Sequence, residues 1–113
     1  MVPVGYADGY AWRLGREAAA EALVGGRRVP VVGAVSMDML TLDVTDLAGC
    51  RVGAEVTLLG RQGDERITAR VLAAAAGTSH YELLCLLGLR LPRRYFRHGR
   101  FAGVASRFSE APA

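Results

Sequence analysis

Short apolar segments with a two-residue alternation, separated by glycine-containing turns, fill the first half of the chain. In the segment 39–44, the apolar Leu40, Leu42 and Val44 alternate with polar residues. Successive side chains of a β-strand point to opposite faces, so this pattern predicts a strand with one buried face. Further strands are predicted at residues 1–6, 20–24, 29–35, 55–59 and 94–104.

Two of these predicted strands flank the dipeptide Gly25-Gly26. Because glycine reaches positive φ angles without steric cost, the segments 20–24 and 29–35 are predicted to pair as a hairpin. Pro30 lies in the second segment and has no N–H to donate to a neighbouring strand. It therefore predicts an edge strand, or a strand that starts at this residue. Residues 11–22 are compatible with either a strand or a short helix.

Two short helices are predicted in the second half of the chain. Thr68 can cap a helix that ends before Gly77, a residue suited to a left-handed C-terminal stop. Ser79 and Glu82 have the S-x-x-E spacing of a capping box, which predicts a second helix ending at Gly88.

The length and composition suit one folded domain. The chain has 113 residues, of which 51% are hydrophobic and 22% charged. The predicted fold class is mainly β: an antiparallel, barrel-like or sandwich domain with two short helices. We expect this domain to cover residues 1–102 and residues 103–113 to form a flexible tail.

The residue types exclude several kinds of chemistry. All fourteen basic residues are arginines, so no lysine side chain of this sequence can link a carbonyl cofactor covalently. Cys50 and Cys85 are too few for a disulfide framework or a four-ligand zinc site, which favours the reducing cytoplasm. The most apolar run, residues 83–89, is far shorter than the roughly 20 residues of a membrane span, and we expect no signal peptide.

Few groups of side chains suit acid–base or metal chemistry. Asp64 and Glu65 are adjacent, but they follow Gly63 in a segment typical of a solvated turn. Neither His80 nor His98 has a second ligand at metal-binding spacing, so no metal site is predicted.

The positions of five other side chains can be explained by structure alone, without a function. Tyr6, Tyr10 and Tyr81 stand beside turn or helix-start signals, where we expect half-buried rings with exposed hydroxyls. Met37 and Asp38 interrupt two apolar segments, which is compatible with a buried methionine and a turn aspartate.

A basic segment interleaved with aromatic residues leaves a second class of function open. The side chains are Arg90, Arg93, Arg94, Arg97 and Arg100, with Tyr95, Phe96 and Phe101. Aromatic rings can stack on bases while guanidinium groups hold phosphates, so a small β-barrel module binding RNA or an acidic protein is an alternative interpretation. A surface-exposed connector that packs against another domain or an acidic partner is the simpler interpretation.

Four motifs in a fixed order resemble the C-terminal β domain of alanine racemases. They are V-P-V-G-Y-A-D-G-Y at residues 2–10, P-V-V-G-A-V-S-M-D-M at 30–39, V-T-L-L-G-R-Q-G-D-E at 56–65, and H-Y-E-L-L-C at 80–85 followed by R-L-P-R at 90–93. One such motif is weakly specific, whereas four in register are strongly so.

The resemblance implies a bacterial isomerase that depends on pyridoxal 5'-phosphate (PLP). Alanine racemases interconvert L- and D-alanine, and D-alanine is used for peptidoglycan of the cell wall. In this family a lysine of an N-terminal barrel domain carries PLP, and the subunits form a head-to-tail homodimer. The resemblance therefore implies a barrel domain as partner, with no nucleic acid and no membrane. Two bases on opposite faces of the cofactor move the proton.

The resemblance assigns roles to four residues of this sequence. Tyr6 matches the tyrosine of the G-Y-A-D-G motif, which contacts the substrate at its entrance. Met37 matches a methionine whose backbone amide faces the substrate carboxylate, with Asp38 beside it. Tyr81 matches the tyrosine whose hydroxyl donates to the PLP phosphate. Phenol and backbone donors suit these anions because they add hydrogen bonds without a mobile charge.

The sequence also departs from the family pattern. The family's catalytic lysine and its catalytic tyrosine, which lies in a Y-G motif upstream of G-Y-A-D-G, are absent, so we expect an N-terminally truncated domain that is inactive alone. Ala34 stands where many members have arginine, and Leu89 stands where members can have an aromatic residue. An unpaired sheet edge is expected where the first strand of the domain is missing.

Overall fold

The structure is a computed structural model that describes residues 1–15 and 19–105. Within them the strands are Glu21–Val24 (β1), Arg27–Val32 (β2), Thr41–Leu42 (β3), Val56–Thr57 (β4), Gly60–Gln62 (β5), Glu65–Ile67 (β6), Arg93–Arg97 (β7) and Arg100–Ala105 (β8). The helices are Ala69–Ala76 (α1) and His80–Cys85 (α2), and short 3-10 turns form at Tyr6–Asp8 and Trp12–Leu14.

The strands form one curled antiparallel sheet and two hairpins. The sheet has the strand order β3-β2-β1-β4, while β5 pairs with β6 and β7 with β8. Every pairing is antiparallel. The predicted fold class, a mainly β domain with a barrel-like curl and few helices, is confirmed.

The Gly25-Gly26 hairpin forms as predicted, but the role of Pro30 differs. Gly25 and Gly26 have φ angles of 60° and 74°, and Val24 pairs with Arg27 across the turn. Both alternatives predicted for Pro30 are wrong, because β2 starts at Arg27 and lies between β1 and β3. Val31 N donates to an acceptor on the β1 side, so Pro30, one residue earlier, turns its nitrogen toward the β3 side. There the ladder covers only two residue pairs, and no N–H of Pro30 is needed.

A single main core joins the sheet to the helices. Its buried side chains lie between residues 10 and 83: Tyr10, Leu14, Ala20, Leu23, Val31, Val35, Leu40, Ile67, Leu72, Ala73, Ala76 and Leu83. A second, smaller cluster consists of Ala22, Val24 and Val29 of β1 and β2. Strand β1 buries residues on both of its faces, whereas β2 buries only Val29 and Val31, which share one face.

Both predicted helices form, each with its predicted N-cap. Thr68 Oγ1 accepts a hydrogen bond from Val71 N at 3.2 Å, and Gly77 ends α1 in the left-handed conformation at φ 76°. Ser79 Oγ accepts from Glu82 N at 3.2 Å, but Glu82 bonds to Thr78 and not to the Ser79 amide. Consequently α2 has only half of the capping box, and it ends at Cys85, before the predicted Gly88.

Three local predictions need correction. The segment 94–104 is not one strand but the hairpin β7–β8, which turns at His98 and Gly99 with φ angles of 51° and 76°. Tyr10 is not half-buried: its ring is 5% exposed and its hydroxyl is buried. The segment 1–6 contributes one bridge, Val2 to Leu40, and then enters a 3-10 turn.

Two predicted segments lie partly outside the residues that the structure describes. Residues 103–105 of the expected tail belong to β8, while residues 106–113 lie outside the described residues. The segment 11–22 contains the 3-10 turn Trp12–Leu14, and residues 16–18 also lie outside the described residues.

Candidate functional site

A tight turn at residues 5–9 carries the first predicted site residue, Tyr6. Its backbone is packed so closely that two positions require glycine. A Cβ on Gly5 would lie 2.2 Å from the Ser36 carbonyl oxygen, and a Cβ on Gly9 would lie 2.4 Å from that of Leu86. Gly9 also has a φ of 98°, which L side chains rarely adopt. The turn is therefore held between two backbone segments, one on each side.

The segment on one side of the turn contains Met37. Tyr6 N donates to Ser36 O at 3.0 Å, and Ala7 N donates to Met37 O at 2.9 Å. Met39 N donates to Ser36 Oγ at 3.1 Å, which closes the loop around Met37. The N–H of Met37 itself donates to none of the residues that the structure describes. Among the described residues, this backbone donor is therefore left without an acceptor.

The segment on the other side follows α2, the helix that carries Tyr81. Tyr81 is the second residue of α2, and its ring centroid lies 4.0 Å from that of His80. Leu86, which approaches Gly9, is the C-terminal cap of the same helix. Gly88 N donates to Asp8 O at 3.0 Å. The turn of Tyr6 is thus connected through the backbone to the helix of Tyr81.

An ion pair between Asp8 and Arg90 joins these segments, and sequence reasoning missed it. Arg90 Nε and Nη2 donate to Asp8 Oδ1 and Oδ2 at 2.6 and 2.5 Å. The Asp8 side chain is fully buried, whereas that of Arg90 is 42% exposed. Both residues stand inside quoted motifs, G-Y-A-D-G and R-L-P-R, but pattern alone cannot say which arginine meets which acid across 82 positions.

The ion pair shifts the pKa values of both partners. The hydrogen bond from Arg90 lowers the pKa of Asp8, against the opposing effect of burial, and Gly5 N adds a further hydrogen bond. The hydrogen bond to Asp8 raises the pKa of Arg90, and the negative charge of Asp38 contributes in the same direction. Asp38, an exposed predicted site residue, therefore lies within electrostatic reach of the pair.

The predicted site residues lie on an open surface. Tyr6 is 50% exposed, Met37 57% and Tyr81 72%, so Met37 is not the buried methionine of the simpler interpretation. A cavity of about 370 Å³, lined by residues such as Arg27, Asp46 and Cys50, contains none of the predicted site residues. Phenol and amide donors on an open face can bind and orient anionic groups, but they enclose no substrate on their own.

Apart from Arg90, the basic segment lies on the hairpin β7–β8. Strands β7 and β8 carry Arg93, Arg94, Arg97 and Arg100, and the Arg94 guanidinium lies over the rings of Phe96 and Phe101, at 5.7 and 5.3 Å. This arginine is therefore engaged by aromatic rings of its own hairpin.

Other kinds of site find no support within the described residues. Residues 1–15 and 19–105 contain no group of three or more His, Cys, Asp or Glu side chains placed to hold a metal ion. None of the helices described in these ranges is long and apolar enough to cross a membrane. Cys50 and Cys85 are free thiols.

Comparison with known proteins identifies the chain's relatives. The family "Alanine racemase, C-terminal domain" matches residues 1–95. Alanine racemase of Symbiobacterium thermophilum is 52% identical over 94 residues, which are 83% of this chain and 24% of that protein. That of Geobacter sulfurreducens is 50% identical over 95 residues, again 83% of this chain and 24% of the relative.

Solved structures agree with this match. Alanine racemase of Bacillus anthracis with bound L-Ala-P superposes with a TM-score of 0.78 at 40% identity, covering 92% of this chain and 26% of that one. The biosynthetic alanine racemase of Pseudomonas aeruginosa gives a TM-score of 0.72 at 43% identity, covering 84% and 25%. The chain spans about a quarter of the length of these relatives. Its sequence, its fold and its ordered motifs agree, and it belongs to the alanine racemase C-terminal domain family.

Proposed function

We propose that this chain is the C-terminal domain of an alanine racemase and supplies contacts to the substrate and the cofactor. Tyr6 and the Met37 amide bind the substrate, with Asp38 beside them, and Tyr81 donates to the PLP phosphate. The observation that carries the proposal is the hydrogen-bonded turn that links the Met37 segment to the Tyr81 helix while both tyrosines remain exposed. Family membership supports the reaction.

The hydrogen-bond donors of this chain fit the phosphate end of PLP, but they cannot provide its covalent attachment. Tyr81 offers an exposed phenol hydroxyl, and the Ser79 hydroxyl already caps the amide of Glu82. The chain has no lysine, so the covalent attachment of PLP belongs to another part of the complete protein. When bound, PLP supplies an electron sink for the charge left at the alanine Cα after its proton is removed.

The chain's own residues orient the reactants in this proposal. The Met37 N–H binds the substrate carboxylate, and the Tyr6 hydroxyl contacts the substrate at the entrance of the site. Together these two contacts fix the direction of the Cα–H bond. The Tyr81 hydroxyl fixes the phosphate end of the cofactor. Neither base that moves the Cα proton is assigned to this chain, so the isolated chain does not racemise alanine.

The exposed apolar side chains around the site suggest how it is completed. Met39, Leu84, Leu87 and Leu89 are between 41% and 65% exposed. A monomeric surface rarely presents so many large apolar side chains together without a partner. We propose that the barrel domain of a second subunit covers this face, in a head-to-tail homodimer located in the cytoplasm.

A chimeric enzyme tests the proposal. The C-terminal segment of the Symbiobacterium thermophilum racemase that matches this chain is replaced by the 113 residues, and D-alanine formed from L-alanine is measured with added PLP. We expect racemisation by the chimera and none above background by the isolated chain. Circular dichroism checks that the chimera is folded, and the same racemase without any C-terminal segment serves as the control. A folded, inactive chimera, or an active isolated chain, would contradict the proposal.

A further inference from the structure

The strongest unassigned feature is the two-point contact between Asp8 and Arg90. A guanidinium that bonds both oxygens of one carboxylate fixes both the distance and the orientation of the two groups. Here the carboxylate is fully buried, and Gly5 N donates to its Oδ2 at 3.1 Å. Arg90 Nη2 also donates to Pro3 O at 3.2 Å. One side chain therefore contacts both the segment before the turn, at Pro3, and Asp8 within the turn.

The turn that this arginine holds determines where Tyr6 points. Residue 6 lies between Gly5 and Asp8, whose hydrogen bonds define the 3-10 turn. Arg90 follows α2 and the Gly88 amide that bonds to Asp8 O. A change at Arg90 thus acts on the position of Tyr6 relative to the helix of Tyr81, without removing an atom from either phenol.

We propose that Asp8 and Arg90 are positioning residues, which fix the phenol of Tyr6 relative to that of Tyr81. This inference rests on the proposed function, in which the two phenols contact the substrate and the cofactor. Groups that orient a reaction must be held within a fraction of an ångström, and a misplacement of about 1 Å can cost a hundredfold in rate. A two-point ionic contact provides such a constraint, whereas one hydrogen bond leaves rotation free.

The test substitutes Arg90→Lys in the chimera, because lysine keeps the charge but lacks the planar fork of two parallel donors that fixes the orientation of the carboxylate. Arg28→Lys is the matched control. Arg28 Nε donates to one carboxylate oxygen of Glu65 at 2.9 Å and its Nη2 to the Arg66 carbonyl at 2.7 Å, an arginine ion pair between β2 and β6 that lacks the two-point contact with one carboxylate. We expect Arg90→Lys to lower kcat/KM for L-alanine by roughly tenfold to a hundredfold. Arg28→Lys should change it by less than about twofold, as is usual for exposed pairs.

A double-mutant cycle separates positioning from general stability. If Arg90 acts through Tyr6, Arg90→Lys should lower kcat/KM by less than about threefold when Tyr6→Phe is already present. A purely structural role would give the same loss with and without Tyr6→Phe. Equal losses, or a loss for Arg90→Lys no larger than that for Arg28→Lys, would overturn the proposal.

A replacement variant and a hydrogen-exchange measurement complete the test of the proposal. If Arg90→Lys does not fold, the double variant Asp8→Asn with Arg90→Gln takes the place of Arg90→Lys in the same cycle. This neutral pair leaves no buried unpaired charge. In the 113-residue chain, amide hydrogen exchange at residues 5–9 should accelerate at least about tenfold in Arg90→Lys but not in Arg28→Lys. Unchanged exchange would overturn the proposal, whereas a folded but inactive unsubstituted chimera would contradict the proposed function alone.

Discussion

Tyr10 shows how a single residue can conflict with its surroundings in this domain. Its ring belongs to the main core, and its hydroxyl is buried without a hydrogen-bond partner among the described residues. Burial raises the pKa of Tyr10 to about 12, because the charged phenolate is poorly solvated there. Burial of the Tyr10 ring in the core is therefore favourable, whereas burial of its hydroxyl oxygen is unfavourable.

Removing this oxygen should stabilise the chain. We expect Tyr10→Phe to raise the free energy of unfolding by on the order of 1 kcal/mol, since the ring remains and an unpaired buried polar group is lost. Urea unfolding followed by circular dichroism measures the change. Tyr95→Phe, at a half-exposed position on β7, is the control and should have almost no effect. Destabilisation by Tyr10→Phe would show that the hydroxyl has a partner in the folded chain.

The raised pKa of Tyr10 also predicts an alkaline effect. The unfolded chain loses this proton near pH 10 and the folded chain only near pH 12, so the stabilising effect of the neutral phenol is complete below pH 10. Between these values the free energy of unfolding should fall by up to about 2 to 3 kcal/mol. Tyr10→Phe should remove this part of the pH dependence, and an unchanged alkaline profile would contradict the assignment.

Sequence could not identify these residue-scale features. The pattern around Tyr10 resembles that around Tyr6, with turn glycines close by, yet one ring is buried and the other half-exposed. The difference arises from which core residues each ring meets after the sheet has formed. The Asp8–Arg90 pair depends in the same way on contacts between distant segments, whereas Tyr6, Met37, Asp38 and Tyr81 were predicted from motif resemblance.

Among the elements, helix α1 is the one that local sequence specifies most completely. Its Thr68 cap and its Gly77 stop were both predicted, because these residues act on their own backbone within a few positions. Hairpin β1–β2 was predicted for the same reason. The inner position of β2 was not predicted, since it depends on its pairing partners. The second strand of the β7–β8 hairpin was not predicted either, since the turn between the strands contains a non-glycine residue, His98, at positive φ.

The cap of α1 gives an element-scale prediction. Thr68→Ala removes the oxygen that accepts from Val71 N, so we expect the free energy of unfolding to fall by about 1 kcal/mol. Thr68→Ser keeps the hydroxyl and should retain most of the stability. Thermal or urea unfolding of the two variants measures the difference. Equal stability of Thr68→Ala and the unsubstituted chain would mean that the cap contributes nothing.

The whole molecule combines a buried core with an exposed face that carries the proposed site residues. Its sheet and helices share buried residues, while Tyr6, Met37 and Tyr81 remain exposed on segments fixed by hydrogen bonds. Such a surface is suited to complete a site built by another domain. The chain spans about a quarter of its relatives, which agrees with this division of roles.

The different effects of the two tyrosines on PLP binding test the central claim most directly. In the chimera, Tyr81→Phe removes the proposed hydrogen bond to the charged phosphate, for which we expect a loss of about 1.5 to 3 kcal/mol. The PLP dissociation constant, measured by cofactor fluorescence, should therefore rise about tenfold or somewhat more. Tyr6→Phe should leave this constant within about twofold and change KM or kcat for alanine instead, because its proposed contact is with the substrate. An unchanged dissociation constant for Tyr81→Phe, with a raised one for Tyr6→Phe, would contradict the account.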